Sequence, residues 1–136
     1  MKGNHMKLKI QITQTRPGIV TVSPEGSVDA NTSSTLESEV RRILTANVKT
    51  LILDMAGVDF ISSAGIGAVT KAKVTLKRQG SDLAMINVQP QVTKVFEIMR
   101  LKSVLNVFES AQELDEYLEK IQERIVEEGT SISVDD

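Results

Sequence analysis

The chain has 136 residues, a formal net charge of −2, no Cys, no Trp, one Tyr, three Phe and a single His. A chain of this length forms one domain and buries roughly 65–70% of its unfolded surface without staples. Without Cys there is no disulfide framework, thiolate zinc site or Cys nucleophile, and with His5 as the sole His no Ser-His-Asp triad or multi-His metal site fits in the body of the fold.

Residues 1–6 lack the apolar core of a targeting signal, and no apolar run approaches the ~18–20 residues that span a bilayer. A cytoplasmic protein without membrane insertion is expected. Met6 offers an alternative start, which would leave residues 1–5 and the only His outside the natural chain. Lys7 to Gln14 alternates, with Leu8, Ile10 and Ile12 on one side, as a half-buried strand does. Arg16-Pro17-Gly18 is a turn signal, and Ile19 to Val22 completes a hairpin. Ser23-Pro24-Glu25-Gly26 should interrupt or bulge that strand, since Pro belongs at edges and bulges. Asp29 to Ser34 is rich in N-cap residues, and Leu36, Val40, Ile43 and Leu44 follow at helical spacing.

The run Leu51-Ile52-Leu53 suits a central strand, Thr50 to Asp54, covered on both faces. Val58-Phe60-Ile61 reads as an apolar connector plugging the core. Ala64 to Arg78 reads as a helix, with Lys71, Lys73, Lys77 and Arg78 mostly outward. A strand is expected over Leu83 to Val88. A helix opening at Gln89-Pro90 carries Val92, Val95, Phe96 and Met99 as its buried stripe. Val104 to Phe108 is the last strand. Ser110 and Glu113 then form a capping-box pattern before a helix with Leu114, Leu118, Ile121 and Ile125. The order β-β-α-β-α-β-α-β-α predicts an α/β domain over residues 7–125, a mostly parallel sheet of about five strands covered by helices. Residues 1–6 and the acidic stretch 126–136 are expected to fray.

The charge is unevenly spread. Residues 1–108 hold 14 basic and 8 acidic side chains, a net +6, and residues 109–136 hold 2 and 10, a net −8. The acidic block reads as a solvated last helix; the alternative is a segment that steers a basic partner or folds back on the basic body. The four bases of the 64–78 helix read as its solvated face, and four aromatics supply no base-stacking platform, so direct nucleic-acid binding is not expected.

The stretch Asp54 to Gly67 carries most chemistry. A strand ends at Asp54, and Ser62 and Ser63 stand where a helix should begin. Open N–H groups and the helix dipole favour negative charge there, and Gly65 and Gly67 allow close approach. A phosphate on either serine would be held with little distortion yet would obstruct a docked partner. From local chemistry alone, the preferred reading of the same residues is a plain N-cap. No Gly-Lys-[Ser/Thr] follows, so this is not a Walker A loop, and no internal His activates the Ser. Asp29, Asp54 and Asp59 could in principle serve acid–base or Mg²⁺ chemistry, but Asp54 and Asp59 have simpler strand-end and turn roles.

Leu51 to Gly67 resembles the signature of STAS domains, in particular of bacterial anti-sigma factor antagonists. That pattern is a strand-ending Asp, a connector, then Asp-Ser-[Ser/Thr/Ala]-Gly-Leu-Gly. Gly26-Ser27-Val28-Asp29 is similar to the family's Gly-x-x-Asp before the first helix. The likeness covers about residues 7–125. It implies a regulatory binding module, not an enzyme, with no cofactor or metal. It implies phosphorylation at Ser63, with Ser62 the second candidate, by a partner that is both serine/threonine kinase and anti-sigma factor. The unmodified form would bind that partner and release a sigma factor. Asp29, Asn31, Thr32 and Ser33, with Ser62, Ala64, Gly65, Ile66 and Gly67, would form the docking surface of a monomer or weak dimer. Ser62 departs from the family's usual Asp, which bears on kinase recognition or on a structural hydrogen bond. The same fold also serves non-switching adaptors of lipid-transporting ABC systems, which meet an ATPase subunit, and STAS signalling scaffolds.

Overall fold

A computed structural model describes residues 8–44, 47–110 and 112–120. Lys7, Ile121, Ile125 and the two expected frayed ends lie outside them. Strands β1 (Lys9–Arg16) and β2 (Ile19–Val28) form the expected antiparallel hairpin. Gly18 closes it at φ 79°, the left-handed value that follows Pro in a type II turn. Then come α1 (Ser33–Ile43), β3 (Thr50–Asp54), β4 (Gly57–Ile61), α2 (Ser63–Arg78), β5 (Asp82–Ile86), α3 (Pro90–Ile98) and β6 (Val107–Phe108). Residues 112–120 form α4. The sheet has six strands, in order β1-β2-β3-β5-β6 with β4 paired to β2, and every pairing after the hairpin is parallel.

Strand β2 runs straight through Pro24 and is central rather than at an edge. One edge of β2 pairs with β1. The other meets β3 through residues 19–22 and β4 through residues 25–28. Pro24, which has no N–H, sits at this change of partner, and the register shifts just beyond it, between Gly26 and Ser27.

The segment expected as a core-plugging connector is strand β4. Its pairing sets Gly26 against Val58 and Ser27 against Phe60, so Asp59 is an extra, bulged residue. The bulge breaks the alternation. Val58 and Ile61 both point inward, and Phe60 is left 53% exposed.

Three other boundaries move for one reason, a residue in left-handed backbone. Asn87 (φ 58°) ends β5 at Ile86 instead of Val88. Asn106 (φ 52°) confines β6 to Val107–Phe108, with Leu105 buried and Val104 exposed. Arg100 (φ 57°) follows the C-cap Met99, whose side chain leaves the buried stripe and is exposed.

The central strands alternate between two cores. Leu51, Leu53, Leu83 and Met85 join Leu36 and Val40 of α1, Ile66, Val69 and Leu76 of α2, and Val92 and Phe96 of α3. Ile52 and Ala84 face the other way, against Leu114 and Leu118 of α4. The unbroken apolar run of β3 is therefore covered on both faces. Because β2 to β6 are parallel, the loops after Val28, Asp54, Ile61 and Ile86 emerge at one end of the sheet, where such folds carry function.

Candidate functional site

Pairing of Val28 with Ile61 sets two loops side by side. The loop after β2 is folded by Asp29. Its carboxylate accepts from the N–H of Asn31 (2.9 Å) and Thr32 (3.2 Å), and its carbonyl accepts from the N–H of Ser33 (2.8 Å). Thr32 is the N-cap of α1. It is buried, its hydroxyl donates to the Ser27 carbonyl (2.6 Å), and it accepts from the Asp29 N–H (2.9 Å).

The loop after β4 turns at once into α2. The Ser62 N–H donates to the Val28 carbonyl (2.9 Å), so the helix start is tied to β2. Ser62 is the N-cap, and its Oγ accepts from the Gly65 N–H at 3.2 Å. Ser63 is the first helical residue. It is exposed, and its hydroxyl has no partner among the described residues. Gly65 sits directly on β2: a Cβ there would lie 2.3 Å from the Val28 carbonyl oxygen and 2.8 Å from Ile61 Cγ1. Gly67 is the reverse case, with nothing within 4 Å of the position a Cβ would take.

Asn31, Ser63, Ala64 and Gly67 are exposed on this surface, and Asp29, Ser33 and Ser62 are half-buried. Thr32, Gly65 and Ile66 are buried, so they shape the loops rather than present atoms. Residues outside the predicted set brace the site. The Gln89 amide donates to the Ala56 carbonyl (2.7 Å), the Gln91 amide to the Asp59 carbonyl (3.1 Å), and Ser27 Oγ to the Asp59 carboxylate (3.4 Å). Those partners lie 32 or 33 positions apart, beyond any local sequence signal. Asp54 accepts from the Ala56 N–H and the Asn87 amide, a strand-end role. No group of three or more His, Cys, Asp or Glu that could hold a metal occurs among the described residues.

Since Ser62 Oγ satisfies an otherwise open helix N–H, Ser62→Ala should cost about 1 kcal/mol of stability. Ser62→Asp, which can accept the same bond, should cost little. Thermal melts of the two variants check this, and equal losses would show that the cap contributes nothing.

The STAS domain family profile matches residues 11–114. The chain belongs to that family. Among its relatives, BtrV of Bordetella bronchiseptica, provisionally assigned as an anti-sigma factor antagonist, is 27% identical over 70% of this chain and 82% of its own length. The crystal structure of an anti-sigma factor antagonist from Mycobacterium paratuberculosis superposes with a TM-score of 0.71 at 16% identity, over 85% of this chain and 94% of that one. The Bacillus cell fate determinant SpoIIAA, solved in its phosphorylated form, superposes with a TM-score of 0.62 at 19% identity, over 80% of this chain and 99% of that one. Among the described residues, no helix is long and apolar enough to cross a membrane.

Proposed function

We propose that this chain is an anti-sigma factor antagonist whose partner is a kinase-type anti-sigma factor, and that phosphorylation of Ser63 ends their complex. The observation that carries the reading is the division of labour between two adjacent serines. Ser62 is engaged as the helix cap, and Ser63 presents a free hydroxyl on the surface. A phosphate on Ser63 would add nearly two negative charges beside open helix N–H groups that tolerate them. Gly65 packed on Val28 and the Ser62 bond to Val28 hold the helix start in place. The modification would thus alter the surface a partner meets without refolding it. Ser62 also supplies the cap that the family's usual Asp would supply. The names of the curated relatives and the existence of phosphorylated SpoIIAA support the same reading.

The test is incubation with ATP and a cognate kinase-type anti-sigma factor, followed by mass spectrometry of the phosphopeptide. Phosphate should appear on Ser63. Ser63→Ala should bind the kinase yet resist ATP-driven release, and Ser63→Asp should bind at least about tenfold more weakly. Phosphate on Ser62 alone, or co-purification with a transporter ATPase subunit in place of a kinase, would overturn the proposal.

A further inference from the structure

Below Ser63, helices α1 and α2 leave a groove between them, with a cavity of about 180 Å³. Val40 of α1, Leu44 at the C-cap of α1, and Ala68 and Ala72 of α2 supply its apolar lining, and Arg41 and Lys71 stand at it. The two alanines, one turn apart, are the reason it stays open: larger side chains at those positions would fill it. The volume suits one aliphatic side chain.

The groove is continuous with the Ser63 surface. Ser63, Gly67 and Lys71 fall at i, i+4 and i+8 of α2, all exposed, along one stripe of about 12 Å. Gly67 opens the stripe to close approach by another chain. Val74, 44% exposed, extends it with apolar surface. Positive charge exceeds negative at the groove: Arg41 and Lys71 stand against one acid, Glu37. Helix α2 has no acidic residue of its own, and its Lys73 and Lys77 are held by Asp82 and add nothing here. Arg41 is exposed and has no partner among the described residues. The acid lining the groove, Glu37, is already 3.5 Å from Lys71.

We infer that this groove is the second half of the partner's footprint, and that it takes an aliphatic side chain flanked by carboxylates on an acidic segment of the partner. The inference rests on the partner-binding reading of the Ser63 surface and gives that partner a chemistry. It also supplies a physical reason for release. A phosphate on Ser63 would place negative charge at the head of the stripe along which the acidic segment lies. The Debye length is ~8 Å at physiological salt, so the repulsion acts on carboxylates seated within the first turn or two below Ser63 and is screened farther along the stripe.

The test uses the full chain and the kinase-type anti-sigma factor. Arg41→Glu should weaken binding at least tenfold and flatten its salt dependence. Lys94→Glu, on the exposed side of α3, should change it less than twofold. On titration with the kinase, the methyl resonances of Val40 and Leu44 should shift, and those of Ile98 and Val104 should not. If Ser63→Asp abolishes binding while Arg41→Glu and the Val40 and Leu44 methyls are silent, the inference fails and the Ser63 reading stands. If Ser63→Asp binds normally, that reading itself fails. Val40 and Leu44 shifts that move on dilution assign the groove to a second copy. Shifts that move in Glu123→Gln/Glu127→Gln/Glu128→Gln assign it to the chain's own acidic end. Either result overturns the proposal.

Discussion

Replacing Gly65 with Ala should destabilise the protein by about 3 kcal/mol, although Ala is the better helix former by ~1 kcal/mol. The reason is contact rather than backbone freedom. The added methyl would stand 2.3 Å from the Val28 carbonyl oxygen and 2.9 Å from Val28 Cγ1. The carbonyl is fixed backbone that also accepts the Ser62 N–H, so it cannot yield without loosening the start of α2 from β2. Gly67→Ala is the matched control. It lies two residues away in the same helix, with open space where its methyl would go. It should leave stability unchanged or raise it by up to about 1 kcal/mol. Urea denaturation of the two variants decides the matter. Equal effects of either sign would mean that α2 does not rest on β2 as described.

That contrast shows what the sequence can and cannot display. Two glycines spaced by two read alike on the page, and only the packing of α2 against Val28 and Ile61 separates them. The alternation of β1, the apolar run of β3 and the spacing of Leu36, Val40 and Ile43 were legible, because each reflects local periodicity against a core. Strand β4 was hidden because its bulge at Asp59 destroys the alternation that would reveal it. Residues 104–106 look like a strand by composition, and the left-handed turn at Asn106 overrides that preference. At the site, the motif pointed to both serines. Which one is the cap and which one is exposed depends on where α2 begins, a matter of one residue. Lys73 is the clearest case of a hidden role. By helical spacing it belongs among the outward bases, yet its side chain is only 12% exposed and bonds an aspartate nine residues on.

That aspartate, Asp82, carries the second large expectation: Asp82→Ala should cost about 3 kcal/mol at neutral pH, because it strands a largely buried lysine. The carboxylate accepts from Lys73 Nζ (2.7 Å) and the Leu83 N–H (2.7 Å) through one oxygen, and from the Asn106 amide (3.2 Å) and the Tyr117 hydroxyl (3.2 Å) through the other. Lys77 stands 3.6 Å away. One side chain thus joins α2, the turn before β6 and α4. Burial pushes its carboxyl pKa up. The bonds from Lys73 and Leu83 and the charges of Lys73 and Lys77 outweigh burial and hold the pKa below the ordinary value of 3.8. A carboxylate depressed by folding stabilises the native state fully above its unfolded pKa, near 3.9, and loses that contribution as pH falls through the folded value. The stability gap between the wild type and Asp82→Asn should therefore be constant from neutral pH down to about pH 5 and shrink below about pH 4. Chemical denaturation at several pH values measures it, and a gap that does not narrow in acid would show that charge is not what Asp82 contributes. The same network fixes the C-terminal half of α2, as Gly65 fixes its start. A helix held at both points would move little under the proposed phosphate at Ser63, so on that reading the modification would act on a partner through charge and shape at the surface.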